Sequence, residues 1–329
     1  MKDTIRWGIL GCGKIAHKFA NDLRLVEGAR LAAVASRDAA NVAAFAKQFN
    51  AEHTFTSYEA MVKSDVIDVV YIATPHGLHH EHTLLCLNYG KAVLCEKAFA
   101  LNSQQASEMI ATAEAKKVFL MEAFWTKFLP QYQKVVSIIG SGQLGEIKWI
   151  QADFGFRAPD PPAQRIYDPA LGGGSLLDVG IYPVFLALSL LGKPDSITAS
   201  IVRHDTGVDE QWSSVFTYRN GVLATLSSSF VADTPVEAVI AGTKGRIQWR
   251  NRFHNAIGHV ELVIGKEEPV PVETRREDGY GYQFEARHVG ECLRQGLTES
   301  PVMTHADTLQ LMHTLDEIRK ICGITYPVD

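Results

Sequence analysis

The sequence is short of the features that mark out several broad classes of protein. Its 329 residues hold five cysteines, Cys12, Cys86, Cys95, Cys292 and Cys322, scattered singly along the chain. An odd, dispersed set with no CxxC pair supplies neither a disulfide framework nor a cysteine zinc site, so reduced, mostly buried thiols are expected. Charge is not strongly one-signed: 32 Lys and Arg against 37 Asp and Glu leave a net −5. That balance excludes the basic footprint of a nucleic-acid binder. No uninterrupted apolar run approaches the roughly 20 residues that cross a bilayer. Internal repeats and low-complexity tracts are absent. The opening MKDTIRWGIL enters a strand-like run at once, without the charged-then-apolar pattern of a secretory leader. A cytoplasmic protein with no nucleic-acid or membrane partner is the expectation.

What is present reads as two domains, about what this length allows. In the first third, strands alternate with helices. IRWGIL, ARLAAVAS, DVIDVVYIA, KAVLCE and KVFLM are apolar runs, and helical patterns separate them, such as KIAHKFANDLRLV with Ile15, Phe19, Leu23 and Val26 on one face. Asp38 is placed to cap the helix NVAAFAKQF. Such alternation predicts a doubly wound parallel sheet over residues 1–122. Beyond it the pattern changes. WIQADFGFR, DSITASIVR, QWSSVFTYR, GVLATLSSSF, VEAVIAG, GRIQWR and HVELVIG are successive strands with hairpin-like joints, and LLDVGIYPVFLALSLLG, YQFEARHVGECLRQG and HADTLQLMHTLDEIRKICG are helices. Residues 123–329 are therefore expected to form an α+β domain with a large open, mainly antiparallel sheet. Its last helix could pack back on the first domain, and the site is expected in the cleft between the two.

Between the first strand and first helix stands GCGKIA, in which Gly11, Gly13 and Ala16 fit G-x-G-x-x-G/A. A strand before it, a helix after it and a following run of βα units give the context of a Rossmann dinucleotide site. The pyrophosphate is expected against Gly11, Cys12, Gly13, Lys14 and Ile15, at the helix N-terminus. The second strand ends in Ser36-Arg37-Asp38. Ser36 takes the position where NAD enzymes carry an acid for the ribose 2′-hydroxyl, and Arg37 suits a 2′-phosphate. With Asp38 better placed as a helix cap, NADP is expected, NAD remaining possible.

TPHGLHHEH, Thr74 to His82, and KAVLCEKAF each follow a strand. Ligands bind beyond the carboxyl ends of strands in such sheets, so Thr74, His76, His79, Glu96 and Lys97 are expected to face the nicotinamide half of the cofactor. The four histidines do not read as a metal site, because i, i+4 spacing converges two ligands at most. His76 and His79 are expected to touch cofactor or substrate, and His80 and His82 to lie on the helix surface.

GCGKIA, TPHGLH, GKAVLCEKAF and GGGSLLDVGIYP, in this order and spacing, resemble the glucose–fructose oxidoreductase/inositol dehydrogenase superfamily over essentially the whole chain. MEAFWTKFLP and the Tyr ending DVGIY bring it nearest to the dimeric dihydrodiol dehydrogenases, which use NADP and also oxidise D-xylose and other aldopyranoses. The resemblance implies that Lys97 is catalytic and that the second domain's sheet forms a homodimer. The chain departs from the family pattern in Ala98 for the Pro of EKP, His76 for the Asn of TPN, and Tyr182 where many relatives carry His.

The chemistry agrees with that resemblance. Oxidising a carbinol needs a base for the hydroxyl proton, and an unperturbed phenol of pKa about 10 is a poor one at neutral pH. A neighbouring ammonium favours phenolate, so Lys97 beside Tyr182 would make the tyrosine a competent base. Asp178, four residues before Tyr182, is expected on the same helix face to orient the substrate hydroxyl. Trp125 and Phe154 are candidate pocket walls, and His79 is the rival acid/base. A sugar or cyclic trans-diol is the expected substrate. An NAD-dependent redox glycosidase and a non-catalytic dinucleotide-sensing regulator are the alternatives.

Overall fold

The computed structural model describes residues 4–159 and 164–329. The chain forms two compact units, Met1–Phe128 with Glu277–Leu309, and Leu129–Arg276 with Gln310–Asp329. It therefore returns to the first unit after building most of the second.

The first stretch runs β1 (Ile5–Leu10), α1 (Lys14–Leu23), β2 (Ala29–Ala35), α2 (Ala39–Phe49), β3 (His53–Phe55), α3 (Tyr58–Lys63), β4 (Val69–Ile72), α4 (His79–Asn88), β5 (Ala92–Glu96), α5 (Ser103–Lys116) and β6 (Leu120–Ala123). All six strands are parallel, in the order β3-β2-β1-β4-β5-β6. This is the doubly wound order, with its switch point between β1 and β4. Helices cover both faces of such a sheet, and so β4, β5 and β6 are buried at every position. Asp38 caps α2 as its position predicts, its carboxylate accepting from the Ala40 and Asn41 N–H groups at 2.9 and 3.1 Å.

The second stretch begins with α6 (Pro130–Gly140), β7 (Ile147–Gly155), α7 (Gln164–Tyr167) and α8 (Ile181–Leu191). Then follow β8 (Ser196–Arg203), β9 (Asp209–Thr217), β10 (Leu223–Ser229), β11 (Ala238–Gly242), β12 (Gly245–Arg250), β13 (His259–Ile264) and β14 (Val270–Pro271). The sheet order is β14-β13-β12-β11-β7-β10-β9-β8. Every pairing is antiparallel except β7 with β10. Alternation along the strands sends Ile150, Ala224, Phe216, Ile240 and Ile247 into the core, where α8 packs on β7 and β10. Pro169–Leu191 is long and apolar enough to cross a membrane by length and composition, but most of it is buried inside this unit, as a core helix would be.

The chain closes with α9 (Tyr282–Arg294) and α10 (His305–Cys322). Helix α9 belongs to the first unit, where it packs on α1. The fully buried Asp22 of α1 ties down its start, accepting the N–H groups of Tyr280, Gly281 and Tyr282 on Oδ2 at 2.8, 2.9 and 3.0 Å. Helix α10 divides, His305–Leu309 lying in the first unit and the rest in the second.

Candidate cofactor and active-site residues

The glycine turn after β1 has the shape a dinucleotide needs. Gly11 has φ +98°, and a side chain there would press on the Ala73 carbonyl, its Cβ 3.1 Å away. Gly13 sits at the N-cap of α1 without a side-chain cap, and a Cβ there would meet nothing within 4 Å. The helix thus begins without a side-chain cap and with room beside Gly13, which fits a pyrophosphate. Lys14 is exposed, Ile15 half-buried, and Cys12 buried, burial pushing its thiol up to about 11. At the end of β2, Ser36 is buried and its Oγ accepts the Asp38 N–H at 3.3 Å, while the Arg37 side chain is exposed. Tyr58, raised by burial, is partly brought back by the Arg37 guanidinium beside it.

The histidine stretch is a clamp. After a 3-10 turn, His76–Leu78, His79 begins α4 fully buried, with Nδ1 2.7 Å from the Ala98 carbonyl and Nε2 2.8 Å from the Thr74 carbonyl. A neutral imidazole donates through one nitrogen only. Burial outweighs the pull of both carbonyls and holds His79 down to about 4. The ring joins the loop after β4 to the loop after β5, and neither nitrogen is turned to a substrate. His82 corrects the sequence reading: it is buried rather than on the helix surface. It reaches back to Thr74 Oγ1 at 3.0 Å and meets the Tyr58 ring edge-on at 4.8 Å. His80 is partly exposed and pairs with Glu108 at 2.9 Å. His76 is buried, its ring edge-on to His79 at 5.7 Å. Among the described residues no three His, Cys, Asp or Glu side chains converge as a metal site.

Lys97 is half-buried just beyond β5, and its charge acts on both His79 and Glu122. Glu96 points inward: Tyr71 donates its hydroxyl to Oε1, and Oε2 accepts the Lys97 N–H at 3.2 Å. Glu122, on the neighbouring β6, is fully buried and held at about 8 by desolvation, with Thr308 donating to it at 2.9 Å. Trp125 is buried in the same unit and stacks on Tyr282, with ring centroids 4.5 Å apart.

In the second unit, Asp178 and Tyr182 do not share one regular helix. Leu176–Gly180 is a π-helical turn, and α8 starts at Ile181. The wider turn replaces the α-helical spacing that put the two residues on one face. Asp178 is almost buried, with Arg165 Nη2 at 3.3 Å from its Oδ2. The Tyr182 ring lies 5.7 Å from Phe154 and 4.6 Å from His254, and His254 stacks on Phe154 at 4.3 Å. His254 was not legible in the sequence, because it stands in the irregular segment between β12 and β13. A hairpin-like strand pattern gives no sign of what such a segment folds back upon. Tyr58 was missed for a different reason: it opens α3, and the pairing of β2 with β3 brings it to Arg37.

Residues 5–124 match the family described as an oxidoreductase family with an NAD-binding Rossmann fold, and residues 132–248 match the GFO/IDH/MocA C-terminal domain. Trans-1,2-dihydrobenzene-1,2-diol dehydrogenase of Xenopus tropicalis is 38% identical, covering 98% of this chain and 99% of the relative. The enzyme of that name from Homo sapiens is 36% identical, covering 99% of each. A solved 3-ketoreductase from Actinomadura kijaniata, in complex with NADP and TDP-benzene, superposes with a TM-score of 0.86 at 27% identity, covering 97% of this chain and 98% of that one. Aldose-aldose oxidoreductase from Caulobacter crescentus shares the fold, with a TM-score of 0.89 at 23% identity and the same coverage. The glycine turn and the two sheets are thus those of a nicotinamide-dependent dehydrogenase, and the chain belongs to the GFO/IDH/MocA oxidoreductase family.

Proposed function

We propose that this protein is an NADP-dependent dehydrogenase that oxidises a carbinol of a cyclic trans-diol or aldopyranose. The observation that carries the substrate class is the frame of Phe154 and His254 around Tyr182. A ring-shaped, hydroxyl-bearing substrate matches flat aromatic walls around one phenol. Relatives at 36–38% identity carry the dihydrodiol dehydrogenase name over their whole length. The NADP preference is supported by Arg37, exposed at the end of β2, and by Asp38, whose carboxylate is engaged as a helix cap.

Bound nicotinamide supplies the hydride acceptor, and the remaining work falls to side chains of this chain. Tyr182 takes the hydroxyl proton as phenolate and returns it as phenol in the reverse direction. Lys97 supplies the positive charge that makes phenolate accessible near neutral pH. Asp178, steadied by Arg165, accepts a hydrogen bond from the substrate hydroxyl. His79 is a scaffold in this reading, since its ring nitrogens face the Ala98 and Thr74 carbonyls. We also infer a homodimer through the sheet of the second unit. Trp149 and Leu223 are adjacent in register and 38% and 43% exposed, an apolar patch that a second copy would cover. A cytoplasmic location is supported by the absence of disulfides among the described cysteines.

The test is initial-rate assay of trans-dihydrodiols and aldopyranoses with NADP⁺ and with NAD⁺, for wild type and Arg37→Ala. A charge-assisted contact of roughly 1.5–3 kcal/mol makes Arg37→Ala weaken NADPH about 10- to 150-fold and leave NADH nearly unchanged. Equal losses for both cofactors would remove the 2′-phosphate role. Cleavage of aryl glycosides with retained NAD, and no diol or aldose oxidation, would replace the dehydrogenase reading.

A further inference from the structure

We infer that Asp209 is a positioning residue: from the first position of β9 it fixes the π-helical turn that carries Asp178 and leads into Tyr182. The inference rests on the roles just proposed for those two residues. Asp209 is fully buried. Its Oδ2 accepts the Ser175 hydroxyl and the Leu176 N–H, both at 2.7 Å. Those residues open the turn Leu176–Gly180. A second sheet residue joins the contact, because the hydroxyl of Ser228 on β10 lies 2.9 Å from that of Ser175. Asp209 and Ser228 thus hold Ser175 from two adjacent strands.

The backbone just before the turn is shaped to let this carboxylate in. Gly174 has φ +113°, and a Cβ there would lie 2.5 Å from Asp209 Oδ1. Any larger residue would have to displace the Asp209 carboxylate or the turn itself. The next glycine back is tethered too, Tyr326 donating its hydroxyl to the Gly173 carbonyl at 2.7 Å. A negative group against the first N–H of a helical segment is also favourable to the peptide dipoles. Burial raises the Asp209 carboxyl, and the Ser175 and Leu176 bonds oppose the rise.

A misplacement of about 1 Å at a proton-transfer site costs on the order of 100-fold in rate. Asp209→Ala should therefore lower kcat about 10- to 100-fold per folded molecule, with the Kd of NADPH unchanged, because the cofactor residues lie in the other unit. Asp209→Asn keeps an oxygen that can accept both bonds and should recover most of the loss. If Asp209→Ala folds poorly, Gly174→Ala probes the same contact from the opposite side and should lower kcat about as much, again sparing NADPH. Folded fraction is measured by thermal melts and NADPH site titration. A folded Asp209→Ala or Gly174→Ala enzyme with wild-type kcat would overturn the inference, and so would an Asp209→Asn enzyme as slow as Asp209→Ala. Tyr182→Phe separates the two levels. A fully active Tyr182→Phe enzyme defeats the proposed mechanism, whereas an inactive one beside an active Asp209→Ala defeats the positioning role alone.

Discussion

The two units hold their candidate reactive side chains in opposite ways. In the first, each group stands where a parallel strand ends, and buried ionisable side chains brace it: His79 between two carbonyls, Glu96 between Tyr71 and the Lys97 N–H, and Glu122 beneath. In the second, Asp178 sits in a π-helical turn, and Tyr182 follows it at the start of α8, with aromatic rings around the phenol. Strand ends of a doubly wound sheet converge on one edge whatever the loops contain, so the first unit needs local bracing only. A turn laid across an antiparallel sheet has no such default position and depends on what the sheet offers beneath it.

The largest effect that would sharpen this contrast lies in the second unit. Tyr182→Phe keeps the ring packed on Phe154 and His254, so the fold and NADPH binding should survive while kcat falls about 10²- to 10⁴-fold. Lys97→Met should also lose turnover, its residual oxidation moving to higher pH as the phenol loses assistance. Retained activity in Tyr182→Phe, together with loss in His79→Gln, would transfer the proton to the histidine and erase the distinction between scaffold and reacting group.

Next in size is an effect on stability in the first unit. Folded Glu122 holds its proton up to about 8, while in the unfolded chain it ionises near 4.5. Between those values the unfolded state binds fewer protons, so stability falls as pH rises through this window, by an amount on the order of a few kcal/mol. Glu122→Gln should flatten that decline and raise the melting temperature at pH 8 more than at pH 5. A uniform shift at both values would show that Glu122 does not titrate as its burial requires.

The smallest effect concerns His79, lowered to about 4 against an ordinary value near 6.5. Here the unfolded chain takes up the proton first, so the contribution is intact above 6.5 and is lost as pH falls toward 4. His79→Ala removes that acid limb and strips one of the Ala98 and Thr74 carbonyls of the N–H that the neutral ring donates, at a cost of about 1–3 kcal/mol. Denaturant melts at pH 5 and pH 7 check both parts. An unchanged midpoint at pH 7 would mean that the clamp contributes nothing to holding the two loops together.

Much of this was legible in the residues. The glycine turn, the parallel and antiparallel halves, the capping role of Asp38 and the family itself follow from patterns spanning fewer than about 20 positions, or from motifs in fixed order. What escaped depends on pairing across long separations. His82 turned inward because Thr74 and Tyr58, brought close by α4 and α3, offered it an acceptor and a ring. The π-helical turn arises where Ser175 and Leu176 bond to an aspartate 33 or 34 residues later, and no periodicity in LLDVGIYP announces it. His254 reaches Tyr182 from more than 70 positions away, through a segment whose backbone takes positive φ at Asn251 and Arg252.

The tie between Asp22 and the start of α9 has a consequence for how the molecule is made. The partners of this carboxylate lie 258 to 260 positions downstream. At a synthesis rate of about 5–20 residues per second, they emerge from the ribosome roughly 13 to 50 s after Asp22 itself. Throughout that interval the nascent first unit carries an acid that its finished interior accepts only when paired. The second unit's sheet is synthesised meanwhile, and the N-terminal unit stays incomplete until Glu277–Leu309 has been made. A chain ending before Tyr280 would strand it in that waiting state, so the cofactor-binding half cannot be had by cutting the protein at its first change of pattern.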